Sequence, residues 1–201
     1  LAAGIAFQAA AEEPQDGEFL QYERIQNKIK PASSVLTIDL PFSFDDTFVD
    51  EEIPEDMKGW ISSNKSCQTT NGEPGWKEQL WLTCNYLLFS QDYVRSYITG
   101  NEKAAMKLYL QGSMVDQMKG LEENRQITGF SHRIMDIKLT GSKDTALLLK
   151  GRYREGTRDY EVWALQILHK KEIWQLVFFF DPTNEAMRDA VEAACFGAVI
   201  K

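Results

Sequence analysis

Apolar and polar residues alternate through four runs between Phe130 and Phe180, separated by short turn-like breaks. This period of two predicts a four-stranded antiparallel meander. In the run from His132 to Leu139, Met135, Ile137 and Leu139 share one face, and Asp136 and Lys138 take the other. Gly141, Ser142 and Asp144 then suit a turn. The run from Thr145 to Tyr153 places Leu147, Leu149 and Tyr153 together, and Gly151 between them leaves a gap for a bulge or a neighbour's large side chain. A break at Glu155 to Arg158 follows. The next run is apolar on both faces, with Val162, Ala164 and Leu168 opposite Trp163, Leu165 and Ile167. The last repeats this, with Trp174, Leu176, Phe178 and Phe180 opposite Ile173, Val177 and Phe179. Two adjacent two-sided strands imply a layer on each face of the sheet.

The flanking segments supply those layers. Val35 to Leu40 alternates and stops at Pro41, which has no amide donor, so it is expected to be the first strand. Residues before it, from Gln15 to Ser34, suit a short amphipathic helix or an extended tail. Two strand-like runs flank a turn at Asn71 to Gly75 and predict a hairpin, to which Trp60, Trp76 and Trp81 would contribute apolar area. After Gly100 a helix is expected, N-capped by Asn101, with Leu108, Val115 and Met118 on one stripe extended by Met114 and Leu121, and with an end near Gly120. Gly112 inside it suggests close packing on the sheet. A second helix follows Asp181 as N-cap and Pro182 at its first position, buries Met187, Ala190, Val191 and Ala194, and stops at Gly197. Residues Ala198 to Lys201 form a last short strand or tail. The sum is an α+β fold, an antiparallel sheet with helices packed on it, and an α/β/α sandwich if the two helices take opposite faces.

The chain has 201 residues, 43% of them hydrophobic, which is enough for one sizeable core without disulfides. No linker divides it, so the expected organisation is a tail over residues 1–34 and a single domain over 35–201. A formal net charge of −8 argues against an electrostatic grip on nucleic acid. No run approaches the roughly 20 apolar residues of a membrane-spanning helix. At the start, an apolar stretch leads into small residues and then acids, and Ala9 and Ala11 have the spacing of a signal-peptide cleavage site, with the mature chain beginning near Glu12. This predicts an extracytoplasmic protein, secreted or in the cell envelope; an N-terminal helix is the other reading of the same residues.

Candidate chemistry is sparse. Asp45, Asp46, Asp50, Glu51, Glu52, Glu55 and Asp56 lie together with no base among them. Their order does not match a calcium-binding loop, and a loop interrupted by proline is poor support for paired catalytic carboxylates. They read as a solvated acidic loop, or else as a weak calcium site or a docking patch for a basic partner. Cys67 and Cys84 flank the predicted hairpin turn and could meet across it, either as a disulfide, worth about 3 kcal/mol in the chain-entropy view, or as two buried free thiols. Cys195 reads as a buried apolar thiol. With two histidines and no C-x-x-C pair, no zinc spacing is present, and no cofactor is expected. His132 and Asp136 share a strand face, with Arg152 and Tyr153 on the neighbouring strand, but an i, i+4 pair on a strand is about 13 Å apart, too far for a dyad. His169 is expected at a solvated hairpin tip. The tips at Gly141 and Gly156 are further candidate contact points.

The order of elements, with the early Leu36-Thr-Ile-Asp-Leu-Pro41 strand and a closing helix followed by a short apolar strand, resembles the PsbP-like fold over about Val35 to Lys201. That resemblance implies a non-enzymatic binding or assembly protein acting on a protein partner, which the residues do not identify. A second resemblance, to nuclear-transport-factor-2-like and cystatin-like folds, implies a curved sheet enclosing a pocket, and so a small-ligand carrier or enzyme.

Overall fold

Strand pairing begins ten residues before the expected first strand. In the computed structural model, which describes residues 24–44, 47–68 and 80–201, the chain opens with β1, Ile25–Ile29, paired antiparallel to β2, Leu36–Leu40. The segment expected as helix or tail is therefore partly strand, with Asn27 tying it down by donating to the Phe42 carbonyl. The alternation in β1 is short and its inward face carries the polar Asn27 between Ile25 and Ile29, which hid it. The C-terminal β10, Val199–Ile200, pairs on the other side of β2 and completes a three-stranded sheet.

The remaining strands are β3 Val49–Asp50, β4 Ile61–Gln68, β5 Leu80–Phe89, β6 Thr128–Ile137, β7 Thr145–Glu155, β8 Arg158–His169 and β9 Glu172–Phe180. They form one antiparallel sheet in the order β3-β4-β5-β9-β8-β7-β6. The β6 to β9 meander is present with the predicted faces, and the β4–β5 hairpin forms; its tip and Trp76 lie outside the described residues, as do residues 1–23. Helix α1, Gln91–Tyr93, runs into a π turn at Val94–Ile98. Helix α2, Glu102–Leu110, continues through a π segment at Gln111–Val115 into α3, Asp116–Glu123. Helix α4 is Glu185–Gly197.

Each face of the large sheet has its own core. On one, Trp163, Leu165, Ile167, Trp174, Leu176 and Phe178 pack against α4 and the small sheet. On the other, Leu147, Leu149, Val162, Ala164, Ile173 and Val177 pack against the α2–α3 helix. The helices do take opposite faces, and the layer containing α4 is shared with strands. At Gly151 the gap is filled: a Cβ there would meet Val162 Cγ1 at 3.0 Å and Phe130 Cε2 at 3.2 Å.

The α2–α3 helix departs from its predicted stripe. Leu108 is 76% exposed, and the buried residues are Met106, Leu110, Met114, Val115 and Met118. An unbroken helix would set Leu108 and Val115 on one face. The π segment inserts a residue between them, and subtracting that residue's rotation brings Met106, Leu110, Val115 and Met118 into one stripe. Gly112 lies within the π segment with open space around its Cα rather than at a close contact. Nor does Asn101 cap the helix with its side chain; the Gly100 amide donates instead to Glu102 Oε1. In α4 the cap is Asn184, which accepts from the Met187 amide at 2.9 Å, while Asp181 accepts from Thr183 just upstream.

A buried amide ladder seats the π segment on the sheet. Gln166 Nε2 donates to the Met106 carbonyl at 2.7 Å, and Gln175 Nε2 donates to Ser113 Oγ at 2.7 Å and to Gln166 Oε1 at 3.3 Å. Asn85 Nδ2 donates to Gln175 Oε1 at 3.1 Å. Gln175 thus joins three elements, and its loss would strand buried groups on each. Replacing it (Gln175→Ala) is expected to cost about 2–3 kcal/mol, against about 1 kcal/mol for Ser113→Ala, measured by urea denaturation; equal small effects would show that the ladder does not seat the helix.

Candidate functional site

Where α4 ends, the outer part of its face of the sheet is left open, and the chain places charge there. Successive residues of a strand point to opposite faces, so Ser131 and Arg133 of β6, Lys150 and Arg152 of β7, and Glu161 and Trp163 of β8 all project to the α4 side. The register sets them in two rows across the strands. Arg133 lies opposite Lys150 and Lys150 opposite Trp163; Ser131 lies opposite Arg152 and Arg152 opposite Glu161. With Arg188 from α4 they line an open groove of about 480 Å³.

Glu161 anchors one row. Its side chain is only 4% exposed. Arg152 reaches its Oε1 through Nη2 at 2.8 Å and Nε at 3.0 Å, Arg188 Nη2 reaches the same oxygen at 3.1 Å, and the Trp163 indole donates to Oε2 at 3.0 Å. Arg188 is fixed further by donating to the Pro182 carbonyl at 2.6 Å. A carboxylate desolvated this far needs such partners, while Arg152 keeps most of its own surface in water.

Lys150 anchors the other row. Its Nζ sits 3.4 Å from the centroid of the Trp163 ring, a cation–π contact, and 3.2 Å from Glu192 Oε1. Arg133, directly across the strand pair, has no ion-pair partner among the described residues. Like charges opposite one another on adjacent strands disfavour each other; Lys150 is offset by Glu192 and the Trp163 ring, which leaves Arg133 as the cation of this row without an ion-pair partner among the described residues. The alternation of β7 exposes Lys150 and Arg152 in the sequence, but their cross-strand partners depend on register, which it does not print.

The candidate residues of the sequence fall elsewhere. His132 stacks on Phe130 with ring centroids 5.2 Å apart, and Asp136 pairs with Lys103 Nζ at 2.9 Å, which with Lys107 lowers its carboxyl below the usual range. Both belong to the helix side of the sheet, as does Tyr153, stacked on Tyr160, its hydroxyl pushed up by burial. Arg152 faces the opposite way, so the four do not converge. His169, expected in solvent, is mostly buried, with Nδ1 3.0 Å from Asp144 Oδ1. Gly156 makes the exposed β7–β8 turn at φ 58°, whereas Gly141 is packed against Val199.

The acidic stretch is not one open loop. Asp50 lies in edge strand β3, 3.4 Å from Lys65 Nζ; Glu51 accepts from Ser66 Oγ; Glu55 pairs with Lys58 in a 3-10 turn that includes Asp56. Glu52 is exposed, and Asp45 and Asp46 lie outside the described residues. Trp60 is 46% exposed rather than part of the core and stacks on Tyr93 at 5.4 Å, with the 62% exposed Tyr97 alongside; Trp81 is half-buried. Cys67 and Cys84 do meet, directly opposite each other in the β4–β5 register, as buried free thiols. Their mutual hydrogen bond, with burial, raises the Cys84 thiol well above its ordinary range. Among the described residues no three His, Cys, Asp or Glu side chains cluster for a metal, and no helix is long and apolar enough to cross a membrane.

No protein-family model and no curated protein matches the chain. Among solved structures it is similar to PA94, a protein of unknown function from Pseudomonas aeruginosa, at 14% identity and a TM-score of 0.35 over 72% of this chain and 85% of that one. It is also similar to LpqN of Mycobacterium tuberculosis, involved in cell envelope biogenesis, at 14% identity and a TM-score of 0.39 over 89% of this chain and 91% of that one. At these scores neither likeness bears on what the chain does.

Replacing Glu161 by glutamine removes the charge two guanidiniums share but keeps the shape. Because both arginines reach solvent, Glu161→Gln is expected to cost about 1–2 kcal/mol rather than the larger penalty of a fully buried pair, read as a lowered midpoint of thermal or urea unfolding; an unchanged midpoint would show that Glu161 does not anchor the groove.

Proposed function

We propose that this chain is a non-enzymatic binding protein, exported in its host and of PsbP-like layout, that recognises an anionic group through the groove between β6, β7, β8 and α4. The observation that carries the reading is the in-register pair of Arg133 and Lys150. Like charges opposite one another on adjacent strands disfavour each other; Glu192 already meets Lys150, so Arg133 is the cation that a carboxylate or phosphate of the ligand would meet. Around this pair, Arg152 and Arg188 keep the guanidinium N–H groups not given to Glu161 and Pro182, donors suited to oxyanions. Four cationic side chains line this region against the two carboxylates of Glu161 and Glu192, so positive charge is left over although the chain as a whole is acidic. Lys150, Arg152 and Arg188 are held by Trp163, Glu161 and Glu192, so this part of the groove is preformed and Arg133 is left to meet the ligand. Export is supported by the Ala9–Ala11 spacing.

Binding is tested by titrating the protein with citrate and with inorganic phosphate at low and at high salt, following the arginine side-chain N–H signals by NMR. Shifts are expected at Arg133, Arg152 and Arg188, with affinity falling roughly tenfold in Arg133→Ala and with added salt. Identical titrations of the wild type and Arg133→Ala would overturn the assignment of the groove.

Export has its own consequence. In an oxidising compartment two thiols facing each other across a strand pair meet disulfide-exchange partners, so protein recovered from such a compartment is expected to carry a Cys67–Cys84 bond. Alkylation without reductant followed by mass measurement should then label Cys195 alone after unfolding. Labelling of all three cysteines in protein from the host would count against export.

A further inference from the structure

The groove opens onto a free sheet edge. β6 is the terminal strand of the seven-stranded sheet, ten residues long, and its side chains are the most exposed of any long strand. The opposite edge is the two-residue β3. An edge strand turns every second N–H and C=O away from its partner, a template for another strand unless something covers it. At the start of β6, Glu122 Oε1 accepts from the Phe130 amide at 3.1 Å, beside a break in register between Thr128 and Ser131. From Ser131 to Ile137 the strand pairs with β7 in unbroken register, and among the described residues no other strand or side chain takes its outer backbone groups.

Charge marks that open run. Arg133 lies two residues into Ser131–Ile137, on the groove side, with Lys150 one strand inward and Arg152 beside Ser131. A strand laid along β6 would set every second side chain on the groove side, next to Arg133. An acidic side chain there completes a row of anion, Arg133, Lys150 and Trp163 across four strands.

We infer that the partner is a protein offering an acidic, extended segment, which adds to the sheet as an eighth strand along β6 and places a carboxylate against Arg133. This rests on the anion-binding reading of the groove and goes beyond it, since the main chain of the partner supplies hydrogen bonds and the acidic side chain supplies register.

The test uses the full chain and two peptides. One is a capped peptide of alternating Glu and Val; the other is its fully N-methylated analogue, which keeps the carboxylates and has no amide donor. Citrate serves as the anion without a backbone. The expected result is that the first peptide binds at least roughly tenfold more tightly than citrate, slows amide exchange within Ser131–Ile137, and loses affinity in Arg133→Glu, while the N-methylated analogue binds no better than citrate. Equal binding of the two peptides, or binding of the first without slowed exchange in β6, would overturn strand addition and leave the groove as a binder of anions. Failure of citrate and both peptides would overturn the anion reading as well.

Discussion

Strands β8 and β9 carry apolar side chains on both faces, and a sheet built around such a pair is unstable until each face is covered. Fully burying one large aliphatic or aromatic side chain is worth roughly 1.5–3 kcal/mol, and these two strands hold Trp163, Leu165, Ile167, Trp174, Leu176 and Phe178 on one side and Val162, Ala164, Ile173 and Val177 on the other. One long helix covers the second set; α4 and the small sheet cover the first. On the outer strands α4 meets Lys150 through Glu192 but leaves the flank around Arg133 and Arg152 open to water, and the charges gather there. The groove is thus a consequence of where the covering layer stops.

Within this apolar frame, a few polar groups decide alignment. Apolar contacts tolerate sliding; a buried amide does not, because a misplaced donor loses its partner without regaining water. Gln166 and Gln175 therefore specify where the helix sits, and the π segment lets Ser113 meet them while Met106 and Met118 stay on the same stripe. Two Glu-x-Trp pairs one strand apart do similar work. In each, the tryptophan indole donates to the glutamate two residues before it. Glu172 also accepts from Ser34 Oγ, which pins the β1–β2 connection to the core, while the same motif at Glu161 reaches two arginines and faces the groove.

Strand faces were legible in the sequence because a period of two needs only local information. The meander from β6 to β9, its turns and its two central strands can be read from spacing alone. Three kinds of feature cannot. Leu108 was misplaced because the π segment's extra residue leaves no trace in composition. His169 reads as a hairpin tip, and only the approach of Asp144 from another turn buries it. Arg133 and Lys150 lie on different strands, and they become neighbours only once the β6–β7 register is set. The site was therefore hidden for the same physical reason that makes it a site: it is built from cross-strand neighbours.

The two ends of the large sheet differ in a way that limits assembly. At β3 there are two residues of strand, flanked by Glu51 and Glu52 and soon followed by Pro54. Such an end offers too few backbone groups to hold a strand, and its negative charge repels acidic segments. Pairing at β6 would therefore not be repeated at the far side. A sheet with one open margin and one blunt margin takes an added strand on one side only, and is spared the open-ended stacking by which two-edged sheets grow into fibres.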